Sequence, residues 1–346
     1  MDKRKYKMKK QRLFYWSGPH VNVQDGNFIY DRLKKDNYEI LPFYDYIYGT
    51  GNNLKERTRR YRKNLLNIFL RANKNDIIFS HDHTRSWVLA LLFSLFLMKR
   101  FVYVNNFMYE GGSKLKLMCL RIAFHNMKVA VNSIKIKEIL LRDLGTGIKD
   151  KVYVIPDCVE LLGNDFENKW KNAPHESQES YVFTGGNTRR DFKMVIDLAN
   201  KHPEWNFVIV APESKRNTFS TKNPRNAKVY FSISTDDFLR KMIASKVVFI
   251  PLKSEFQGGQ LVLFQAALLN KPIITTDTYA IRMYFDESSC GLIPVGDESA
   301  GEAALKNIFN KSEDDIQKQC SLAYNQIKKF SADYCYGLIK NMIQHL

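Results

Sequence analysis

The sequence predicts an α/β protein made of two doubly wound domains, each with a parallel sheet. Its 346 residues exceed the usual single-domain range and allow two compact domains with separate cores. Short β-branched or aromatic runs alternate with helical stretches along the chain, which is typical of parallel α/β sheets. A polar segment at 156–179 separates six such runs from six more. Two domains of similar construction are therefore expected.

Twelve strands are predicted, six in each half of the chain. Those of the first half are Leu13–Trp16, Glu39–Phe43, Ile77–Ser80, Phe101–Asn105, Lys128–Val131 and Val152–Ile155. Those of the second half are Tyr181–Thr184, Phe207–Ala211, Val229–Phe231, Val247–Pro251, Pro272–Thr275 and Gly291–Val295. Ligands of such open sheets bind at the carboxyl ends of the strands, so the loops that leave these ends are the first place to look for function.

The domain boundary is predicted in the polar segment, which lacks periodicity and carries Gly163 and Pro174. The predicted divisions are a first domain at 1–156, a linker at 157–179, a second domain at 180–330 and a final helix at 331–346. Periodicity alone does not decide where the helical tail packs.

Cysteine usage and hydropathy indicate a cytoplasmic protein. The cysteines are five, widely spaced and never in a C-x-x-C pair, which argues against a disulfide framework or a structural zinc site. The basic N-terminus is followed by too few apolar residues for a signal peptide. The longest apolar run, Trp87–Met98, is shorter than the roughly 20 residues that a spanning helix needs. No transmembrane segment is expected.

Charge is distributed unevenly along the chain. The formal net charge is +17, and residues 1–155 hold 30 Lys and Arg against 13 Asp and Glu, while the remaining residues hold 23 of each. Such a field attracts an anionic partner to one domain, whether a membrane surface, a phosphorylated acceptor or a nucleic acid.

The first candidate loop lies before the helix that contains Gln265. Gly258 and Gly259 allow the backbone to approach a ligand, and the helix start near Gln260 offers unpaired N–H groups, which together suit a diphosphate. The Gln265 carboxamide can both donate to and accept from sugar or ribose hydroxyls. A tight strand-to-helix connection without a ligand is the plain alternative.

The second candidate loop follows the first strand of the second domain. Gly185 and Gly186 supply backbone amides, and Arg190 supplies a charged fork for phosphate oxygens. Lys215, after the next strand, is a weaker candidate of the same kind. Alternatively, Arg189 and Arg190 are solvated surface charges.

The third candidate is the Ser80–His83 segment at the end of the third predicted strand. Imidazoles at a strand end can bind a sugar hydroxyl or stabilise charge on a donor. His81 and His83 would share one face of a strand, but the neighbouring Asp82 would point away, so a metal site is not predicted. The alternative is a pair of ordinary polar loop residues.

These segments, in this order, resemble the GT-B-fold glycosyltransferases, in particular the retaining group that includes sucrose synthase and bacterial lipid-linked sugar transferases. The resemblance spans most of the chain, and its last two segments are the most specific. It rests on His81, Val131–Ser133, Lys151–Pro156, Gly185–Arg190, Val248–Pro251, Gln260–Ala267 and Lys271–Asp277.

The resemblance implies a hexosyltransferase-type glycosyltransferase, a member of EC 2.4. Its two Rossmann-like domains would face a central cleft, and its final helix would cross back to the first domain. Arg190 would contact the donor diphosphate, His81 would lie against the donor sugar, and the helix at Gln257–Gln265 would hold the ribose.

The sequence departs from this pattern at the ribose-binding helix and at a strand end. The family carries two glutamates where this chain has Gln257 and Gln265, and Glu255 lies two residues before the first. A neutral amide still binds ribose hydroxyls, but an acidic role in the sugar pocket no longer follows. Asn105 and Asn106 stand where many relatives carry another histidine.

The implied chemistry is departure of the nucleoside diphosphate with front-face attack, so catalysis would rest on stabilising charge at the leaving group. Arg190, the Gly258 and Gly259 amides and Lys215 are the groups expected to do so. No D-x-D sequence occurs in the chain. The prediction is therefore a nucleotide-sugar substrate with no metal and no further cofactor.

The acceptor is expected to meet the basic first domain. Tyr61, Leu65, Ile68 and Phe69 follow helical spacing, and a basic amphipathic helix can lie in a membrane interface. The residues predicted on the membrane or acceptor side are Arg57, Arg60, Lys63 and Arg71. Core packing and a solvated face are the plain alternatives. The hypothesis is an enzyme peripheral to the inner face of the cell membrane that acts on a lipid-linked saccharide or oligosaccharide during surface-polysaccharide assembly.

Three other functions stay open. A nucleic-acid-binding protein would suit the charge, but no recognised motif accompanies it, so no nucleic-acid partner is expected. A GT-B-like epimerase or a polyol-phosphate transferase would share the nucleotide site. The two glutamines also allow a third alternative, a binding module that has lost catalysis.

Overall fold

The structure is a computed structural model, and it describes residues 10–17, 28–45, 54–81, 85–163, 165–171, 180–219, 224–256 and 259–344. The chain forms two compact units. The first contains residues 1–156 and 332–346, and the second contains residues 157–331.

Each unit is built on one six-stranded sheet. The strands are β1 (Arg12–Ser17), β2 (Glu39–Tyr44), β3 (Ile77–His81), β4 (Val102–Asn105), β5 (Met127–Val131), β6 (Val152–Val154), β7 (Tyr181–Gly185), β8 (Asn206–Ala211), β9 (Ala227–Phe231), β10 (Val247–Ile250), β11 (Ile273–Thr276) and β12 (Gly291–Ile293). The strand orders are β2-β1-β3-β4-β5-β6 and β12-β11-β10-β7-β8-β9, with every pair parallel. The predicted α/β class with two doubly wound sheets is confirmed.

Helices connect the strands. They are α1 (Phe28–Lys35), α2 (Leu54–Arg71), α3 (Trp87–Leu95), α4 (Lys114–Ala123), α5 (Ile134–Leu144), α6 (Phe166–Lys171), α7 (Phe192–Lys201), α8 (Arg216–Phe219), α9 (Thr235–Ala244), α10 (Gln260–Leu268), α11 (Glu298–Asn310), α12 (Glu313–Lys328) and α13 (Ala332–Gln344). Short 3-10 turns occupy Thr146–Lys151, Val159–Leu162, Glu213–Lys215 and Ile281–Met283. Among the described helices, none combines the length and apolar character needed to cross a bilayer.

The final helix, α13, packs on the sheet of the first unit. Its buried side chains, including Ile339 and Met342, join Tyr15 and Tyr103 in one core that α1 also covers. Burial of such an apolar face supplies most of the stability of a helix in a protein. The placement agrees with the resemblance, which sends this helix back to the first domain.

The predicted linker at 157–179 differs from the structure over its described part. Residues 157–163 and 165–171 belong to the second unit, where Val159, Phe166 and Trp170 are buried in its core. Phe166 and Trp170 stand four residues apart, a helical spacing that was not recognised in the sequence because polar residues surround them. Residues 164 and 172–179 lie outside the described ranges.

The apolar face predicted for α2 is covered by the first unit itself. Ile68 is fully buried, the Tyr61 ring stacks on Trp16 at 5.6 Å, and the Phe69 ring stacks on Phe93 at 5.6 Å. The helix is amphipathic as predicted, but this face packs against protein and is not available to a membrane.

Candidate nucleotide site

The sheet topology of the second unit predicts that a ligand binds at the carboxyl ends of β7 and β10. The strand order reverses at this pair, because β8 and β9 extend to one side and β11 and β12 to the other. Open α/β sheets bind ligands outside the carboxyl ends of strands at such a switch point. The loops that leave β7 and β10 are the two glycine loops singled out in the sequence.

Backbone hydrogen bonds join these two loops. The Asp191 amide donates to the Pro251 carbonyl at 2.8 Å, and the Lys253 amide donates to the Arg189 carbonyl at 3.0 Å. Arg189 has a φ of +55°, which is uncommon for a residue with a side chain. This turn directs the next residue, Arg190, back toward the strands, and Asp191 then caps α7 by accepting from the Met194 amide at 3.3 Å.

Arg190 is a buried cation with no acidic partner among the described residues. The residue is 6% exposed, Nε donates to the Gly185 carbonyl at 2.7 Å, and Nη1 donates to the Thr188 carbonyl at 3.1 Å. No carboxylate of the described residues forms an ion pair with it, and burial lowers the pKa of its guanidinium to about 10. A buried charge is costly when it has no opposite charge, so this position is suited to an anionic ligand.

The Arg190 guanidinium packs closely on glycines of both loops. A Cβ atom at Gly186 would lie 2.5 Å from Arg190 Nη2, and one at Gly259 would lie 3.4 Å from Nη1. Both glycines have left-handed backbones, with φ of +113° and +89°. At Gly185, a Cβ would lie 2.5 Å from the Phe238 ring. All three described glycines of the predicted site are therefore required by space or by conformation.

The N-terminus of α10 begins beside Arg190. Gly259 is its N-cap and provides no side-chain hydrogen bond, and the Leu263 amide makes the first helical bond, to the Gly259 carbonyl at 3.0 Å. The amides that precede it, from Gln260 onward, have no carbonyl within the helix, and the helix dipole is positive at this end. Gln260 and Gln265 are half-buried. Gln257 and Gly258 lie outside the described residues.

Side chains from β11 fix the end of β10. The Thr275 hydroxyl donates to the Ile250 carbonyl at 2.8 Å, and the Leu252 amide donates to the Thr276 hydroxyl at 2.8 Å. The Lys271–Asp277 segment, which contains both threonines, was recognised in the sequence. The hydrogen bonds by which the threonines hold the end of β10 were not predicted. Periodicity cannot reveal it because the bonds join neighbouring strands.

Glu255 is engaged at the rim of the site. Tyr279 donates its hydroxyl to Glu255 Oε2 at 2.7 Å and its amide to the Glu255 carbonyl at 2.9 Å. Nearby in sequence, Arg282 pairs with both Asp277 and Glu287, and those hydrogen bonds raise the pKa of its guanidinium. The structure thus pairs the predicted Glu255 with Tyr279, a residue that the sequence did not single out.

Lys215 is at the same edge of the sheet but apart from this cluster. It ends the exposed 3-10 turn after β8, the strand next to β7, and its amide donates to the Pro212 carbonyl at 2.9 Å. No contact between described residues joins its side chain to Arg190. Its role in donor binding stays a prediction.

In the first unit, His81 occupies the corresponding switch point. It is the last residue of β3, in register with Ser17 of β1 on one side and Asn105 of β4 on the other. The residue is buried, and its Nδ1 lies 2.8 Å from the Tyr15 hydroxyl, which fixes the orientation of the ring. Tyr15 was not identified from the sequence because it lies inside an apolar strand. Asp82 and His83 lie outside the described residues.

The basic residues predicted on the membrane or acceptor side differ in exposure. Lys63 and Arg71 are exposed, whereas Arg57 and Arg60 are partly buried. Arg60 lies 3.8 Å from Glu56 on the same helix. In the described part of the chain, no three His, Cys, Asp or Glu side chains gather as metal ligands.

Comparison with solved structures identifies the fold. A glycosyltransferase from Rickettsia africae matches with a TM-score of 0.71 at 12% identity, over 97% of this chain and 100% of that one. The Anabaena protein HepE in complex with UDP matches at 0.67 and 14% identity, with the same coverage. A UDP-forming α,α-trehalose-phosphate synthase from Burkholderia vietnamiensis matches at 0.72 and 10% identity, over 98% and 100%.

These likenesses show that the chain has the GT-B fold of glycosyltransferases. The fold predicted from the sequence is thereby confirmed. No protein-family model and no curated protein matches the chain by sequence.

Proposed function

We propose that this protein is a glycosyltransferase that moves a sugar from a nucleoside diphosphate sugar to an acceptor. The observation that carries the proposal is Arg190, a buried cation without an acidic partner among the described residues, held between Gly186 and Gly259 beside the N-terminus of α10. A diphosphate supplies the charge that this position lacks. HepE, which has the same fold, was solved with UDP and with UDP-glucose, so UDP is the first nucleotide to test.

The proposed chemistry is leaving-group stabilisation. As the bond between sugar and diphosphate breaks, negative charge grows on the diphosphate, and Arg190 with the α10 amides is placed to stabilise it. These groups are fixed before the reaction, because loop-to-loop hydrogen bonds and two glycines hold them. We infer a reaction that needs no metal, since protein groups supply the positive charge. Retention of the anomeric configuration is proposed from the resemblance to the retaining group.

The proposed role of His81 is to contact the donor sugar, with Tyr15 orienting its ring through Nδ1. The proposed acceptor is a lipid-linked saccharide or a surface polysaccharide, at the inner face of the cell membrane. The strongly basic first half of the chain supports an anionic partner.

Thermal-shift binding with UDP, GDP, CDP and dTDP tests the donor site. We expect stabilisation by one of the four, and we expect Arg190→Met to lower its affinity about 10- to 100-fold, since hydrogen bonds to charged groups contribute about 1.5–3 kcal/mol. Lys253→Met is the matched control, because it removes an exposed cation from the adjoining loop. A folded protein that responds to none of the four nucleotides would refute the proposal.

A binding module that has lost catalysis is a second candidate, favoured by Gln257 and Gln265 in place of the two family glutamates. Product analysis with a panel of nucleotide sugars, with and without EDTA, distinguishes the two. Nucleotide binding without any transfer or donor hydrolysis would favour the binding module. Turnover that persists in EDTA and yields a product of unchanged anomeric configuration would support the enzyme proposed here.

A further inference from the structure

The first unit carries an exposed apolar surface at the ends of two helices. Leu66 and Leu70 lie in the last turns of α2, and Leu95, Phe96 and Leu97 lie at the end of α3. Their exposed fractions run from 55% to 90%. Scattered exposed leucines are ordinary, but three consecutive exposed apolar residues beside two more form a patch, and such patches mark interaction sites. These five residues are called the leucine tip below.

The two helix ends are held together, so the leucine tip is one surface. The Phe69 ring meets the Phe96 ring edge-on at 5.6 Å, and the Arg100 guanidinium donates to the Phe69 carbonyl at 2.8 Å. Arg100 also lies over the Phe93 ring at 5.5 Å. Aromatic contacts and a charged hydrogen bond thus fix the backbone on which the exposed side chains stand.

Leu97 is held outward by an unfavourable backbone conformation. Its φ is +54°, and it is 90% exposed. This position ends α3, where the Leu97 amide donates to Ser94 and the Met98 amide donates to Phe93. Helices that end in this way usually place glycine or asparagine there, because a leucine side chain is strained in the left-handed conformation. Neither stability in water nor solubility accounts for a leucine here.

Basic residues of α2 extend the surface that begins at the leucine tip. Lys55, Arg59 and Arg62 are exposed and share the helical stripe of Leu66 and Leu70, with spacings of three or four residues. With Leu54 and Thr58 they line a groove of about 440 Å³, and no carboxylate is among these lining residues. Lys99 is exposed next to the leucine tip.

We propose that this surface binds an anionic phospholipid bilayer, with the leucine tip entering the apolar region and the α2 cations contacting lipid phosphates. The combination of apolar insertion and basic residues is what interfacial membrane binding requires. A second copy of this chain suits the surface less, because two identical cationic stripes would repel each other. The inference rests on the proposed function, since it names the lipid surface on which a lipid-linked acceptor would be met.

Sedimentation with vesicles tests the proposal. Vesicles of phosphatidylcholine alone are compared with vesicles that also contain phosphatidylglycerol, using the full-length protein. We expect binding to the anionic vesicles that weakens with salt. Leu97→Asn should weaken it by about tenfold or more, because a leucine side chain that enters the apolar region is removed. Arg59→Gln with Arg62→Gln should weaken it about fivefold for each charge.

Matched variants keep the test decisive. Leu322→Asn removes a partly exposed leucine from α12 of the second unit, and Lys34→Gln with Lys35→Gln removes two exposed charges from α1. Both controls should bind vesicles like the unmodified protein. Leu97→Asn should also unfold at the same temperature or higher, because asparagine tolerates a positive φ.

Three outcomes would overturn the proposal. The first is that the unmodified protein does not bind anionic vesicles. The second is that the Leu97 and arginine variants lose no more vesicle binding than their controls. The third is that the protein is a dimer in solution and that Leu97→Asn converts it to a monomer. UDP-induced stabilisation, measured on the same samples, reports on Arg190 in the second unit. Failure of membrane binding with intact UDP binding would therefore leave the proposed donor site standing.

Discussion

Two buried cations of the second unit lie at opposite edges of its sheet. Arg190 follows β7 at the carboxyl edge, and Lys271 precedes β11 at the amino edge. Neither forms an ion pair with a described carboxylate, and burial lowers the pKa of both side chains. Only Arg190 is enclosed by glycine loops and a helix N-terminus. The residues around each cation are therefore the basis for proposing a ligand-binding role for Arg190 and a purely structural position for Lys271.

Gly186→Ala should abolish nucleotide binding by displacing Arg190. The new Cβ would lie 2.5 Å from Nη2 and 2.9 Å from Nε, closer than any ordinary contact. The matched control is Gly163→Ala, since Gly163 has a similar φ of +101° but no neighbour within 4 Å. Both variants carry backbone strain of about 1–2 kcal/mol, but only Gly186→Ala should lose UDP-induced stabilisation. Equal UDP responses from the two variants would contradict the role assigned to Gly186.

Lys271→Met should stabilise the protein below pH 8. Lys271 is 7% exposed, and burial lowers the pKa of its amine to about 8, whereas an unfolded lysine titrates near about 10.4. Between these two pKa values the unfolded state binds more protons than the folded state, so the free energy of unfolding rises with pH. Below pH 8 the buried amine is charged and destabilises the fold. Two pKa units correspond to about 3 kcal/mol, an upper limit for the gain at pH 7.

Denaturant unfolding at pH 7 and near pH 10 measures this effect. The difference between Lys271→Met and the unmodified protein should shrink as the pH rises through that window. Lys329→Met, which removes an exposed lysine, should show no such dependence. A stability difference that stays constant with pH would mean that the Lys271 amine does not titrate as its burial predicts.

The parts of the candidate site that lie close together in the sequence could be predicted from it. Gly185, Gly186 and Arg190 lie within six residues of one another, and their types match a phosphate clamp, so their loop could be recognised. Tyr15 and Tyr279 were missed, because their contacts with His81 and Glu255 join segments 66 and 24 residues apart. Such contacts depend on strand register, which an isolated sequence pattern does not contain.

At the scale of elements, the spacing of apolar residues predicts an amphipathic helix but does not show which residues pack against its apolar face. The apolar face of α2 was recognised from Tyr61, Ile68 and Phe69, and the structure covers it with Trp16 and Phe93. The α6 segment shows the converse, since Phe166 and Trp170 lie in the core although the surrounding residues are polar. Membrane contact by α2 therefore has to be sought on its other, exposed stripe.

The helix α13 is expected to stabilise the first unit. Ile339→Ala should cost about 2–4 kcal/mol, because Ile339 is 1% exposed and packs against the sheet with Tyr15 and Tyr103. Asn341→Ala on the exposed side of the same helix is the control. Hydrogen exchange of β4 and β5 should accelerate in Ile339→Ala alone. Unchanged exchange in those strands would show that α13 contributes little to this core.

At the scale of the whole molecule, the fold was predictable although no sequence relative supports it. The three solved structures compared above have 10–14% identity with this chain. What such distant chains share is the alternation of buried strands and amphipathic helices, and right-handed crossovers then leave few sheet topologies. Strand order, by contrast, was established only by the structure.

Ionic strength should separate the two proposed binding activities. The excess positive charge lies in residues 1–155, while the rest of the chain, which includes Arg190, is balanced. Nucleotide affinity should depend mainly on short contacts with Arg190 and the α10 amides. Membrane affinity should depend on many exposed cations acting together.

Salt shortens the screening length from about 30 Å at 0.01 M to about 8 Å at 0.15 M, which weakens exposed charges far more than a buried one. Vesicle binding should therefore fall steeply over this range, while the dissociation constant for UDP should change by less than about tenfold. Calorimetry for UDP and sedimentation for vesicles, on one preparation, measure both. A UDP affinity as salt-dependent as vesicle binding would mean that the nucleotide is held by the exposed charges of the first half and not by Arg190.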